Sequence, residues 1–393
     1  MLKKIGFLFL VSCLFIFAKG QDSCSLRISL LTCAPGQELY STFGHTAIRV
    51  QDRTAGTDYI FNYGTFEFGE GAGFYIKFVR GKLPYFLSVE NFGEFMSEYK
   101  EESRSVLEQE LLYSCTEKQH LYAALKENAQ PQNSQYKYDF LFDNCTTRAK
   151  NIIARNSAQQ VVYPNVLDKN KPTFRNLLHS YLDASHEYWS KLGIDLLLGA
   201  RLDRKMTNEQ AMFLPDYLLK GFDSAQAGGK RLMAPAQTIL QMPSPLPKAS
   251  IFTPFLVFLL LLVGVAVLSF VPTSGVRRFI NVFDRILFFS LGLIGVLLLF
   301  MWFGTDHAVC RDNYNLLWAF PTHLIAAFFL RRDRRWMHYY LLFTIILLSL
   351  LLIGWIFLPQ QLNIGWLPLV LLVLLRAWLI VLKPHHVSTE DRI

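Results

Sequence analysis

FDNCTTR, residues 142–148, marks the start of a helix. Asp143 and Asn144 are capping residue types, and Ala149, Ile152 and Ile153 recur at helical spacing between Cys145 and Asn156. Cys145 is thereby placed in a first helical turn, beside free backbone N–H groups and the positive end of the helix dipole. Both favour a thiolate. The same N–H groups can donate to the oxyanion formed when a thiolate attacks an acyl carbon. A nucleophile of this kind also needs a base within hydrogen-bond reach, and the base needs a group to orient it.

Upstream of this helix the chain reads as strands. SLRISLLT (25–32) alternates Leu26, Ile28 and Leu30 with Arg27 and Ser29, the pattern of a half-buried strand. FGHTAIRV (43–50) and DYIFNYG (58–64) follow across polar turns, and residues 74–79 and 83–89 suggest a pair around Gly81. Helical texture appears at 91–101, 117–128, 173–198 and 207–220. The expected class is α+β, an antiparallel sheet plus helices. Gly228-Gly229 and prolines 235, 243, 245 and 247 mark a closing strand or loop and a linker.

Histidines 45, 120, 179 and 186 are those available before the apolar C-terminal part. His45 lies on a predicted central strand, whereas the other three sit in helical segments among polar neighbours and read as solvated. If Val50 pairs with Thr57, the same antiparallel register sets His45 opposite Asn62, an amide able to fix the imidazole tautomer. Each residue also has a plain structural reading: a small buried thiol, a satisfied core histidine, an asparagine starting a turn. No CxxC, HxH or HExxH spacing supports a metal site, and no cofactor is implied.

The chain begins MLKKIGFLFLVSCLFIFAKGQ, the n-region, h-region and small-x-small site of a secretory signal peptide covering residues 1–20. Cys13 as a lipid-modified cysteine is the lesser alternative, because the apolar run continues past it. From Ile251 to Leu382 the sequence is strongly apolar and reads as five spans, roughly 251–271, 279–303, 314–330, 339–358 and 362–382. Pro321, Thr322 and His323 make the third the weakest. Arg277, Arg278 and the Arg331–Arg335 cluster follow the first and third spans, which sets those loops in the cytoplasm and the N-terminal domain outside. The resulting layout is an exported domain at 21–240, a linker at 241–250, a membrane domain at 251–383 and a cytoplasmic tail at 384–393.

The net charge of +8 does not indicate a nucleic-acid binder, since residues 21–248 hold 25 Lys+Arg against 25 Asp+Glu. The excess lies in the signal peptide and the membrane part. Five cysteines remain after cleavage: Cys24, Cys33, Cys115, Cys145 and Cys310. Cys24 and Cys33 bracket an extended run that holds them about 30 Å apart at ~3.3 Å per residue, so they are not expected to pair. Cys115 can pair with either.

Two further groups of residues stand out. Arg148, one turn beyond Cys145, shares its helix face and can hold a carboxylate or phosphate, or simply pair with Asp143. In WFGTDHAVCRDNYNLLWAFPTH (302–323), Asp306, His307, Arg311, Asp312, Asn313 and Asn315 crowd the outer ends of the second and third spans. That cluster is expected to dock the exported domain or to contribute to a lipid or peptide site.

LLTCAPGQELYSTFGHTAIRV (30–50), YIFNYGTFEF (59–68) and YKYDFLFDNCTTRAK (136–150) together resemble the Lnb-type N-terminal periplasmic domain family of Bacteroidetes-like bacteria, over about 24–240. A more distant similarity is to circularly permuted papain-like enzymes, the lecithin retinol acyltransferase-like and NlpC-like groups. These carry a strand histidine about 100 residues before an Asn-Cys helix start. The resemblance implies a permuted papain-like fold, Cys145 as nucleophile and His45 as base. It departs at the third residue: those enzymes often use a second histidine, and Asn62 stands in that role here. The implied protein is a multi-pass protein of the bacterial inner membrane with its C-terminus in the cytoplasm. Its implied activity is that of a periplasmic thiol hydrolase or acyltransferase acting on an envelope lipid, lipoprotein or peptide. The alternative is a non-catalytic envelope binding or assembly module. Oligomeric state is not legible.

Overall fold

The computed structural model describes residues 24–67, 76–77, 79–167, 171–243, 250–330 and 334–382. The signal-peptide segment, most of the linker and the C-terminal tail lie outside the described residues. The N-terminal domain is built on β1 (Leu26–Cys33), β2 (His45–Asp52), β3 (Thr57–Thr65), β4 (Pro84–Asn91), β5 (Val106–Glu110), β6 (Gln135–Lys137) and β7 (Gln237–Leu240). They form one antiparallel sheet in the order β7-β5-β1-β2-β3-β4-β6.

Helices cover both faces. On one lie α2 (Cys115–Asn128), α3 (Cys145–Arg155) and α6 (Pro215–Asp223), packed on Leu26, Ile28, Leu30, Ile48, Val50, Phe61 and Tyr63. On the other, α1 (Phe92–Glu101) sets Phe95 and Tyr99 against Leu31, Cys33, Ala47 and Ile60. β1 is therefore buried on both faces, not half-buried as its alternation suggests. Ser29 and Thr32 are buried along with its apolar residues.

The β2–β3 register differs from the expected one by two residues. Asp52, not Val50, pairs with Thr57, and Val50 pairs with Tyr59. The cause is a tight loop, in which the Asp52 carboxylate accepts from the N–H groups of Thr54 and Ala55 and Gly56 takes φ +67°. His45 is thus not directly opposite Asn62. A slip of two preserves side-chain faces, so the pair meets diagonally instead.

The expected strand at 74–79 is also absent from its described part, since residues 76, 77 and 79 are helical and β4 pairs with β3 and β6. The predicted helix at 173–198 is two helices, α4 (Phe174–Ala184) and α5 (Tyr188–Leu197), broken where His186 adopts φ +57°. His179 is not solvated. It faces Asp195 at 2.9 Å beside fully buried Arg175, because an i, i+4 pair on α4 points at one carboxylate of α5. Cys24 is disulfide-bonded to Cys115, tying the start of β1 to the start of α2. Among the described residues Cys33, Cys145 and Cys310 are free thiols, all buried.

The C-terminal part is helical: α7 (Pro254–Ser269), α8 (Ser274–Phe303), α9 (Arg335–Gly354) and α10 (Leu367–Val381). Three helical segments, Ser274–Phe303, Arg335–Phe357 and Ile364–Val381, are long and apolar enough to cross a membrane, and Pro254–Ser269 is a shorter apolar helix. The span expected at 314–330 is not one continuous helix. It consists of a 3-10 turn at Tyr314–Leu317 and a short helix at His323–Ala326, interrupted by Pro321. Its backbone lies directly against Gly292 and Gly295 of α8, where no side chain would fit. Arg376 of α10 pairs with both oxygens of Asp284 on α8, at 2.7 and 2.9 Å, and donates to Ser269 of α7. Three helices are thereby locked by one fully buried ion pair.

Candidate functional site

The cysteine is held in place by its N-cap. Asn144 accepts from the Thr147 N–H through its side chain, and its own N–H donates to the Thr147 hydroxyl, both at 2.8 Å. The Asn144 amide nitrogen also donates to the carbonyls of Phe140 and Phe213, so the buried cap cannot rotate. Cys145 is then fixed at the first turn of α3, at the point where β2 begins and β3 bulges. Gly44 and Gly64 sit there with φ +78° and +91°. A side chain at Gly44 would stand 2.7 Å from the Cys33 carbonyl, so only glycine lets β2 start so close to the end of β1.

The imidazole of His45 interacts directly with the Cys145 thiol. Its Nε2 is 2.6 Å from Asn62 Oδ1, and Asn62 Nδ2 donates to Glu90 Oε1 at 3.0 Å. This chain of contacts fixes the tautomer. The Glu90 carboxylate only accepts, so the Asn62 amide must turn its nitrogen to Glu90 and its oxygen to His45. The imidazole must then carry its proton on Nε2, which leaves the Nδ1 lone pair for the thiol.

Electrostatics follow from these contacts. Burial opposes ionisation of Cys145. The charge and hydrogen bond of His45, the backbone N–H of Thr46 and the hydroxyl of Thr146 outweigh it and bring the thiol down to about 7. Burial lowers the His45 pKa, but the charge of Cys145 and the hydrogen bonds to Cys145 and Asn62 reverse this and raise it. The arrangement can hold a thiolate–imidazolium pair near neutral pH.

Of the other expected site residues, Arg148 stays within the N-terminal domain, and the rest fall on a seam between the domains. Arg148 is paired bidentately with Asp143, at 2.6 and 2.8 Å, and stacks over the Tyr136 ring. Asp306 receives the Lys137 ammonium at 2.9 Å, and its backbone N–H donates to the Arg80 carbonyl. His307 lies against Gly81. Asn313 and Asn315 are buried and donate to the carbonyls of Asp195, Leu196 and Leu197, the last turn of α5, where a helix leaves its acceptors unpaired. The structure thus gathers Cys145, His45 and Asn62 into one site and gives Asn313 and Asn315 to docking. Asp306 and His307 border β6 and Gly81, with Lys137 between Tyr136 and Tyr138 at the edge of the site.

Sequence reasoning missed Glu90, Thr46, Thr146 and Tyr136. Glu90 and Tyr136 carry no local signal, because their relation to the cysteine exists only through sheet order. Thr46 and Thr146 each adjoin a candidate, and their hydroxyls meet at 3.1 Å. Among the described residues no group of three or more His, Cys, Asp or Glu is placed to hold a metal ion.

Two family profiles match the chain: the Lnb N-terminal periplasmic domain over residues 18–180 and the Lnb transmembrane domain over residues 247–386. No curated protein and no solved structure matches significantly. With both halves matched in the order that the fold displays, the chain belongs to the Lnb-type family, a membrane protein that joins a periplasmic α+β domain to a helical transmembrane domain.

Proposed function

We propose that the protein is a thiol hydrolase or acyltransferase of the bacterial inner membrane, working on the periplasmic side on an amide, ester or thioester of an envelope lipid, lipoprotein or peptide. The observation that carries this reading is the Cys145–His45–Asn62 arrangement, with a thiol lowered to about 7 and an imidazole oriented from behind. His45 takes the thiol proton on Nδ1. The Cys145 thiolate attacks the acyl carbon, and the tetrahedral oxyanion is met by N–H groups at the start of α3. His45 returns the proton to the leaving group, and water or an acceptor then resolves the thioester. Asn62 is the orienting residue. No cofactor is needed for these steps.

The α+β sheet with its helix-borne cysteine supports a permuted papain-like ancestry. In this reading the shorter helix α7 and the broken segment before Arg334 complete five membrane crossings. Arg277, Arg278, Arg334 and Arg335 lie on the cytoplasmic side, as does the C-terminus. Asp306 and His307, beside the β6 edge, then bring the membrane domain to the mouth of the site, which favours a membrane-held substrate. Arg148, by contrast, acts there through Asp143 and Tyr136.

The test is the rate at which iodoacetamide alkylates Cys145 in the detergent-solubilised full chain from pH 5 to 9. A lowered thiol pKa gives half-maximal rate near pH 7. His45→Ala removes the largest of the contributions that offset burial and should move that midpoint above the ~8.5 of an ordinary cysteine. The second reading, a non-catalytic envelope module, draws on the burial of Cys145, which is 9% exposed. A thiol that is inert at all pH values, or indifferent to His45, decides for it.

A further inference from the structure

Gly64 leaves a gap beside the nucleophile. A Cβ built there would stand 3.6 Å from Cys145 Cβ, 3.8 Å from Tyr138 Cε2 and 3.9 Å from the Tyr136 hydroxyl. The Cys145 side chain and the Tyr136 phenol therefore border the same small space above a glycine. The Tyr136 hydroxyl is buried and has no hydrogen-bond partner among the described residues, a state that a folded protein seldom leaves without a use. Its ring is held from behind, with the Arg148 guanidinium 3.4 Å over the ring centroid and itself fixed by both oxygens of Asp143. Burial, and then the charge of Cys145, push the phenol above its ordinary value, so the hydroxyl stays protonated and remains a donor.

We propose that the Tyr136 hydroxyl is an oxyanion donor, a catalytic residue for acyl transfer at Cys145, and that Arg148 is the positioning residue that aims it. The inference rests on the acyl-transfer reading given above. Cys145 Sγ forms a bond to the acyl carbon, and the C=O π pair moves onto oxygen. That oxygen accepts hydrogen bonds from Tyr136 and from the N–H groups opening α3, with no proton transferred to it. The pair then re-forms the C=O bond as the bond to the leaving group breaks. The leaving group departs with its bonding electrons and, where basic, takes the proton from His45.

Two electrophiles separate this role from any other. Iodoacetamide alkylates a thiolate by direct displacement and builds no oxyanion, whereas p-nitrophenyl acetate acylates it through a tetrahedral oxyanion. In the detergent-solubilised full chain, Tyr136→Phe is expected to leave alkylation within about twofold of wild type. Acylation, followed by nitrophenolate release, should fall about 10²–10³-fold. Its thermal midpoint should not fall, because the lost hydroxyl had no partner. Arg148→Gln should lower the acylation-to-alkylation ratio by a smaller factor, and an unchanged ratio removes Arg148 from the proposal. If Tyr136→Phe acylates at the wild-type rate, or loses both reactions equally, Tyr136 is not an oxyanion donor, and the reading of Cys145 stands. If the wild-type thiol is inert to both reagents, that reading fails and this inference fails with it.

Discussion

At Cys145 burial and hydrogen bonding pull in opposite directions, and the outcome depends on a few neighbours. Cys33 shows the contrast: it is more deeply buried, has no such set of partners, and burial drives it up to about 12 despite a hydrogen bond from Tyr99. The difference lies in His45 and in what holds it. Asn62→Leu should free the imidazole to rotate and lower the alkylation rate of Cys145 at pH 6 by about ten- to hundredfold, the range seen when a metal-bound histidine loses its orienting partner. Glu90→Gln leaves an acceptor for the Asn62 amide, so its effect should be smaller. An Asn62→Leu protein that reacts at the wild-type rate would remove Asn62 from the site.

At the scale of the element, the start of α3 is set by Asn144. Asn144→Ala deletes the acceptor for the Thr147 N–H and abandons the carbonyls of Phe140 and Phe213, a loss of about 2 kcal/mol. That corresponds to a fall of roughly 4–8 °C in the thermal midpoint of a domain of this size. The Cys145 titration should also move upward as the first turn frays. This helix was legible in FDNCTTR because capping is local chemistry. β5 was not: Val106–Glu110 carries Glu108, Gln109 and Glu110, and it is a strand because β1 and β7 pair with its two edges. The β2–β3 register was misjudged by two for a related reason, since the Asp52 loop closes earlier than a count of polar residues suggests.

For the molecule as a whole, the periplasmic domain is fastened to the membrane domain through backbone groups of α5 and the segment after it. Asn313, Asn315 and Gln360 donate to its last carbonyls, Asn363 donates to Asp195, and Gly199 and Ala200 donate to the carbonyls of Val309 and Asp312. Asn315→Leu leaves the Asp195 carbonyl and the Trp318 indole N–H without their partner, at about 1–3 kcal/mol for each buried group. Faster hydrogen exchange at the end of α5 is the expected result. Alkylation of Cys145 should be unchanged, because the seam is separate from the nucleophile's own contacts. Unaltered exchange would mean that the apolar packing around Leu192 and Trp366 alone holds the domains together.

The sequence by itself determined the order of the two domains, the strand-then-helix texture of the first and the helix that presents Cys145. These follow from periodicity, capping and composition, which act over a few residues. Tertiary structure alone decided the rest. The choice of Cys115 as the partner of Cys24, the Glu90 carboxylate behind Asn62, the Tyr136 hydroxyl over Gly64 and the burial of His179 against Asp195 all join residues distant along the chain. Such contacts are set by which strands neighbour one another and which helix faces meet, and no local pattern of residue types encodes that.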